Sequence, residues 1–316
     1  MKKVLILFGK KDWSRPAFAN MSSGYTLCYE YLYDLAQKHN IKLYRASYTW
    51  YDKQQSAFSY AWTFEKGAWI RVNDIKPDLI YDKTKATPEA LFFKTTELSS
   101  LPITNDVEFT NLIDNKLFTS LLFPQHTKKH HKALDMTDLK NILKRIKTSK
   151  VVLKTSSDSG GENVFILEKK DVAHTEIPFP ILAQEFIDSS HGIDGIVKSV
   201  HDLRLVFIED ELIYSYTRTP AQGSLLANLS QGGTMQIIPK NQLPTTITKL
   251  VSDVQNTLST FQNKIYTIDI MFDENQQPWI VELNSMPGLF FSEEQYEERK
   301  KVYTTIIQLF KKMLQN

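Results

Sequence analysis

The stretch that most restricts this chain is residues 265–288, IYTIDIMFDENQQPWIVELNSMPG. Asp273 to Pro278 is dense in turn formers, so the apolar runs on either side are expected to close an antiparallel hairpin. Setting Phe272 opposite Trp279 brings Asp269 opposite Glu282, and Asn284, two residues on, shares the face of Glu282. Like charges facing each other across a strand pair repel, so this hairpin asks for a cation. Asp, Glu and Asn oxygens are hard ligands that suit Mg²⁺. A solvated strand face is the plainer alternative. Against it stand the apolar neighbours Ile268, Ile270, Val281 and Leu283, and the run Asn284-Ser285-Met286-Pro287-Gly288, an odd end for an ordinary strand.

The rest of the chain divides by pattern. Val4 to Phe8, Ile41 to Ala46 and Leu79 to Tyr81 read as strands, and Leu27, Tyr31 and Leu35 place a helical face between Thr26 and Lys38. Strands alternating with helices predict a parallel α/β sheet over the first hundred or so residues. Val107 to Leu122 reads as a helical connection broken at Pro124. Beyond it, Val151–Lys154, Val164–Leu167, Ile181–Ile187, Leu203–Ile208 and Leu212–Thr217 are strand-like, with helical patterns at Leu250–Phe261 and in the last segment, where Val302, Ile306, Leu309, Phe310 and Met313 share a face. This mixture predicts an α+β region.

Charge and cysteine content narrow the partners. Thirty-eight Lys and Arg against 36 Asp and Glu leave a net charge of +2, which supplies no electrostatic case for nucleic acid or an anionic membrane. Cys28 is the only cysteine, so neither an internal disulfide nor a thiolate metal cluster is available. Without a signal-like or membrane-spanning run, the expected setting is cytoplasmic. The basic run Lys128 to Lys132 reads as a solvated loop. His126, His130, His131, His174, His191 and His201 read as loop or surface residues, and Trp13, Tyr25, Tyr48, Trp50, Tyr51, Tyr60 and Trp62 as core with scattered surface aromatics.

Taken together, these segments resemble the ATP-grasp superfamily, specifically the branch of glutathione synthetases and RimK-type ribosomal-protein glutamate ligases. Glu282 to Gly288 is similar to that family's metal-binding end, and Asp269 to its first metal carboxylate. The resemblance places Lys116 and Lys154 on the nucleotide, Ser159, Gly160 and Gly161 in a glycine-rich flap over the phosphates, and Gln184, Glu185, Phe186 and Ile187 at the adenine hinge. It places Asp202 by the ribose with Arg204 as its arginine, Arg218 facing phosphate and Asn228 in the loop over the acyl-phosphate site, the last three as catalytic residues; relatives usually carry arginine where this chain has Leu226. Locally, each of these has a plainer reading: a strand-end lysine, a hairpin turn at the glycines, a buried strand edge at 185–187, surface ion pairs for the arginines.

The resemblance implies an ATP-grasp fold, with an N-terminal parallel α/β (pre-ATP-grasp) domain at 1–105, a small lobe at 106–183 and a C-terminal lobe bearing the metal site at 184–316. The implied cofactors are ATP and Mg²⁺, or Mn²⁺ in its place. The implied reaction is ligation of a small-molecule or peptide carboxylate to an amine through an acyl phosphate, in a chain compatible with a homo-oligomer. Alternatives that share the nucleotide site are a graspetide-type peptide-modifying ligase, an ATP-grasp kinase, and a nucleotide-binding regulatory protein without turnover.

Overall fold

Val4 to Leu7 are completely buried, as an apolar run must be when both faces of its sheet are covered. In the computed structural model, which describes residues 1–9, 23–156, 163–225, 227 and 232–315, they lie in β1 (Lys2–Phe8). The helix α1 (Ser23–Lys38) follows. β1 pairs in parallel with β2 (Ile41–Ser47) and β6 (Leu79–Lys83). The sheet is nevertheless mixed rather than parallel throughout. β3 (Tyr51–Asp52), β4 (Ala57–Glu65) and β5 (Ala68–Ile75) extend it antiparallel. Lys66 and Gly67 both adopt positive φ, 51° and 77°, the backbone of a two-residue hairpin turn whose twist matches its strands.

After α2 (Pro88–Glu97), the expected single helical connection is two helices, α3 (Val107–Ile113) and α4 (Lys116–Leu122). Asn115 separates them: its side chain accepts from the Leu117 and Phe118 N–H groups and starts α4 afresh. A second, four-stranded antiparallel sheet has the order β7 (His131–Ala133), β10 (Ile181–Glu185), β8 (Lys150–Lys154), β9 (Val164–Glu168). The helix α5 (Met136–Leu143) covers it, and Leu139 and Ile142 share a small core with Val151, Leu153 and Ile181.

The third sheet has the order β13 (Thr234–Ile237), β12 (Glu211–Thr219), β11 (Asp202–Ile208), β14 (Ile265–Phe272), β15 (Pro278–Asn284). One face packs on Ile247, Leu250 and Val254 of α6 (Ile247–Thr257). The closing helix α7 (Tyr296–Met313) buries the five apolar positions its spacing predicts. It joins the first sheet, with the Phe310 ring 5.3 Å from that of Tyr81. No helix among the described residues is long and apolar enough to cross a membrane.

Candidate active site

Alternation along β11 sends Leu203, Leu205 and Phe207 into the core under α6 and leaves Asp202 and Arg204 on the opposite face. Register does the rest. Asp202 faces Arg218 on β12, Arg204 faces Asp269 on β14, and Asp269 faces Glu282 on β15. Arg204 grips Asp269 with two bonds, Nε to Oδ1 at 2.7 Å and Nη2 to Oδ2 at 2.5 Å. Arg218 holds Asp202 in the same forked way, at 2.6 and 2.5 Å, and also donates from Nη2 to Asp269 Oδ2 at 2.7 Å. The repulsion expected between Asp269 and Glu282 is therefore met by two guanidinium groups of the chain itself. Burial pushes the Asp269 pKa up, but Arg204 and Arg218 outweigh it and hold the carboxyl below its usual range. Asp202, buried and beside that second carboxylate, is raised to about 6 despite Arg218.

The hairpin reaches this pairing by a different register from the expected one. Phe272 lies opposite Pro278 and Met271 opposite Trp279; the ladder then shifts between Asp269 and Ile270, leaving Val281 as the extra residue. A bulge of this kind lets adjacent side chains share a face. Val281 and Glu282 both line the cleft, whereas Ile280 and Leu283 both enter the core. The bulged Val281 carbonyl accepts from Lys154 Nζ at 3.3 Å.

The cleft lies between the second and third sheets and encloses about 110 Å³. Lys116 and Lys154 enter it from α4 and β8. Lys116 Nζ is 3.6 Å from Glu282 Oε2, and Arg204 Nη2 is 3.9 Å from Oε1. Burial, then the neighbouring Lys116 charge, draw the Lys154 ammonium down to about 7, against the opposing pull of Glu282. Apolar side chains, among them Val152, Ile166, Ile187 and Met271, line the cleft as well.

Of the expected site residues, the cleft gathers Lys116, Lys154, Gln184, Phe186, Ile187, Asp202, Arg218, Asp269 and Glu282. Arg204 joins through its contact with Asp269. Glu185 turns elsewhere, accepting from the Lys147 N–H at 3.0 Å. β10 ends at Glu185, short of the expected Ile187, and the Phe186 N–H is taken by Thr148 Oγ at 3.2 Å. Asn284 Oδ1 accepts from the Met286 N–H at 2.7 Å. Ser159, Gly160, Gly161, Leu226 and Asn228 lie outside the described residues, as does Trp13.

Some parts of the site carried no sequence signal. Ser285 is pinned on three sides: its N–H and Oγ donate to Asp114 at 2.7 and 2.8 Å, and its carbonyl accepts from Asn105 Nδ2 at 2.5 Å. His126, His130 and His201 are buried rather than on the surface. Burial and the charges of Lys154 and Lys116 push His130 down to about 2, so the ring is neutral. The basic run is also less solvated than its composition suggests, with His130 buried, residues 131–133 in β7, and Lys128 Nζ 3.9 Å over the Trp279 ring.

A model of the RimK-like ATP-grasp domain matches residues 114–307, which spans α4, the second and third sheets and most of α7. The chain belongs to the RimK-like ATP-grasp family. A probable alpha-L-glutamate ligase of Cellvibrio japonicus (strain Ueda107) is 25% identical over 163 residues, 50% of this chain and 49% of that protein; the chain spans about half the length of the curated relatives it matches, or less. The RimK domain ATP-grasp protein of Sphaerobacter thermophilus DSM 20745 superposes with a TM-score of 0.64 at 13% identity, covering 96% of this chain and 98% of that one. The D-alanine–D-alanine ligase of Bacillus anthracis, solved in complex with ATP, gives 0.65 at 11% identity, covering 99% and 97%. The ATP-grasp match includes the whole row from Arg204 to Glu282, so the fold expected from the sequence is the fold observed.

Proposed function

We propose that the chain uses Mg-ATP to activate a carboxylate as its acyl phosphate and joins it to an amine. The observation that carries this reading is the row Arg204–Asp269–Glu282 facing Lys116 and Lys154 in one cleft. Among the described lining residues, Lys116, Lys154 and Arg218 are matched by Asp202, Asp269 and Glu282. A triphosphate would enter with its own negative charge uncompensated, which a divalent cation supplies.

The carboxylates present fit such a cation in part. A carboxylate offers about four lone-pair sites, and Asp269 already accepts three bonds. Glu282, with 21% of its side chain exposed and only the longer contacts at 3.6 and 3.9 Å, retains its capacity. No trio of His, Cys, Asp or Glu side chains forms a metal cage among the described residues, so Asn284 or phosphate oxygens would complete the set. When bound, Mg²⁺ stabilises charge on the transferring phosphoryl group.

The chain's own residues do the remainder. The apolar lining accepts a flat base, and Gln184, which lines the cleft beside His130, offers its Oε1 as an acceptor for an adenine amino group. Lys116 and Lys154 neutralise phosphate oxygens, and Arg204 and Arg218 hold Asp269 in place. A carboxylate oxygen attacks the γ-phosphorus and ADP departs. The amine then attacks the acyl carbon, phosphate leaves, and the nitrogen gives up a proton.

The relatives named as glutamate ligases support an amino-acid or peptide substrate. The test is ADP release from purified protein with Mg-ATP and paired carboxylates and amines, read alongside product mass. Ligation requires both substrates and gives a product lighter by one water than their sum. A phosphorylated product that persists in the presence of the amine, with no amide formed, overturns the proposal in favour of a kinase.

A further inference from the structure

Glu282 stands on β15, the last strand of the third sheet. An edge strand lacks ladder partners on its outer side, and the bulge at Val281 interrupts the inner side as well. Glu282 is thus displayed from the part of the sheet that its own strands hold least, and its place depends on what braces β15 from outside. Beyond Asn284, Asp114 holds Ser285. At the other end the Ile280 N–H, one residue before the bulge, donates to the His126 carbonyl at 2.7 Å.

His126 belongs to the turn that follows α4. Phe123 enters the core, and the His126 N–H donates back to its carbonyl at 3.0 Å. Past Phe123 the packing loosens. A cavity of about 290 Å³ lies between the turn and α6, with Pro124, Gln125 and His126 on one side and Asp253 and Asn256 on the other. A charged pair bridges it: His126 Nε2 is 2.7 Å from Asp253 Oδ2, and since a carboxylate only accepts, the ring donates. Lys249 Nζ donates to the same oxygen at 2.5 Å. Two residues on, Lys128 Nζ lies 3.9 Å over the Trp279 ring. The turn therefore meets β15 at two successive residues, Trp279 and Ile280. The next two, Val281 and Glu282, carry the carbonyl that accepts from Lys154 and the carboxylate that faces Lys116.

We propose that His126 is a positioning residue for phosphoryl transfer: tied to α6 by Asp253, it sets through its carbonyl where Glu282 and the Val281 carbonyl stand beside Lys116 and Lys154. The proposal rests on the reading of the cleft as a site that moves a phosphoryl group. His126 does not line the cleft, so its effect falls on the alignment of the reacting groups and not on ATP affinity. The pair is only part-buried, with side chains 11% and 36% exposed, and such pairs contribute little to stability. The fold survives its loss. A displacement of about 1 Å at the reacting groups, by contrast, costs on the order of a hundredfold in rate.

Amide hydrogen exchange at Ile280 and the kinetics of ADP release test this, in the full chain and in Asp253→Ala, His126→Ala and His126→Gln. In both alanine variants the Ile280 amide should exchange about tenfold or more faster. The kcat for ADP release should fall by about tenfold while the KM for Mg-ATP changes less than about twofold, the pattern of an interaction felt only in the transition state. His126→Gln keeps a side-chain N–H able to reach Asp253 and should recover most of both losses. Should one alanine variant fail to fold, the other decides. Unchanged Ile280 exchange, an unchanged kcat, or a rise in KM as large as the fall in kcat overturns the proposal. So does a His126→Gln variant no better than His126→Ala. ADP released without amide product, with the same pattern across the variants, counts against the ligase reading and leaves the positioning role standing.

Discussion

Lys154 links burial to chemistry through one proton. Its folded pKa is about 7, against about 10.4 in an unfolded chain. The unfolded state therefore holds more protons between those values, and the lysine's penalty, complete below pH 7, is relieved as pH rises toward 10. Phosphate at the cleft would restore the charge. Mg-ADP binding at pH 8 should take up roughly one proton and at pH 6 little, measured by calorimetry in buffers of different ionisation enthalpy. Lys154→Met should abolish the uptake; uptake that persists in this variant contradicts the assignment. The sequence showed the cost of an ammonium ending an apolar run, because Val151 to Leu153 lead straight into it. It did not show His130 as buried, because Lys-Lys-His-His-Lys is locally what a solvated loop looks like.

Between β15 and α4 a clamp at Ser285 adds to the contact of Lys116 with Glu282. Asp114 holds both donors of Ser285 and is itself raised to about 6 by burial, so it joins the start of the Lys116 helix to the turn beyond Asn284. Asp114→Ala leaves these donors unsatisfied and should cost about 1–3 kcal/mol. Turnover should fall while Mg-ADP affinity changes less than threefold, as checked by denaturant melts and titration. An unchanged rate would show that the turn holds its shape unaided. The bulge at Val281 was legible in principle. Ile280 and Leu283 are both apolar at an odd spacing, which a regular strand would send to opposite faces. A ladder without a bulge matched Asp269 to Glu282 from an incorrect starting pair, and only the register of all seven β15 residues separates the two.

Across the molecule the cores are unequal. The first sheet, α1 and α7 share one cluster with Val206, Tyr214, Tyr216 and Ile265 of the third sheet. The second sheet has a smaller core of its own. It should open as a separate unit of low stability, and its strands β8 and β10 carry one wall of the cleft, Val152, Lys154 and Gln184. Native-state hydrogen exchange should find lower opening free energies in β8 and β10 than in β11 and β14, with Mg-ADP raising the former. Equal values in all four strands would show one cooperative unit instead. The parallel strands and the closing helix followed from their apolar periods. The β4–β5 hairpin was missed because its turn is Lys66-Gly67, without the Asn or Asp that usually announces one, and because β5 is largely exposed.

The most direct test of the proposed chemistry is ADP release by Glu282→Gln. The substitution keeps shape and removes one negative charge. Asp269 is already balanced by Arg204 and Arg218, and the Glu282 contacts are long, so melting temperature should not change. Turnover should fall by about a hundredfold or more, roughly 2.7 kcal/mol of lost transition-state stabilisation. Wild-type ADP release from the folded variant would show that Glu282 does not serve the transferring phosphoryl group, and would contradict the proposed mechanism at its centre.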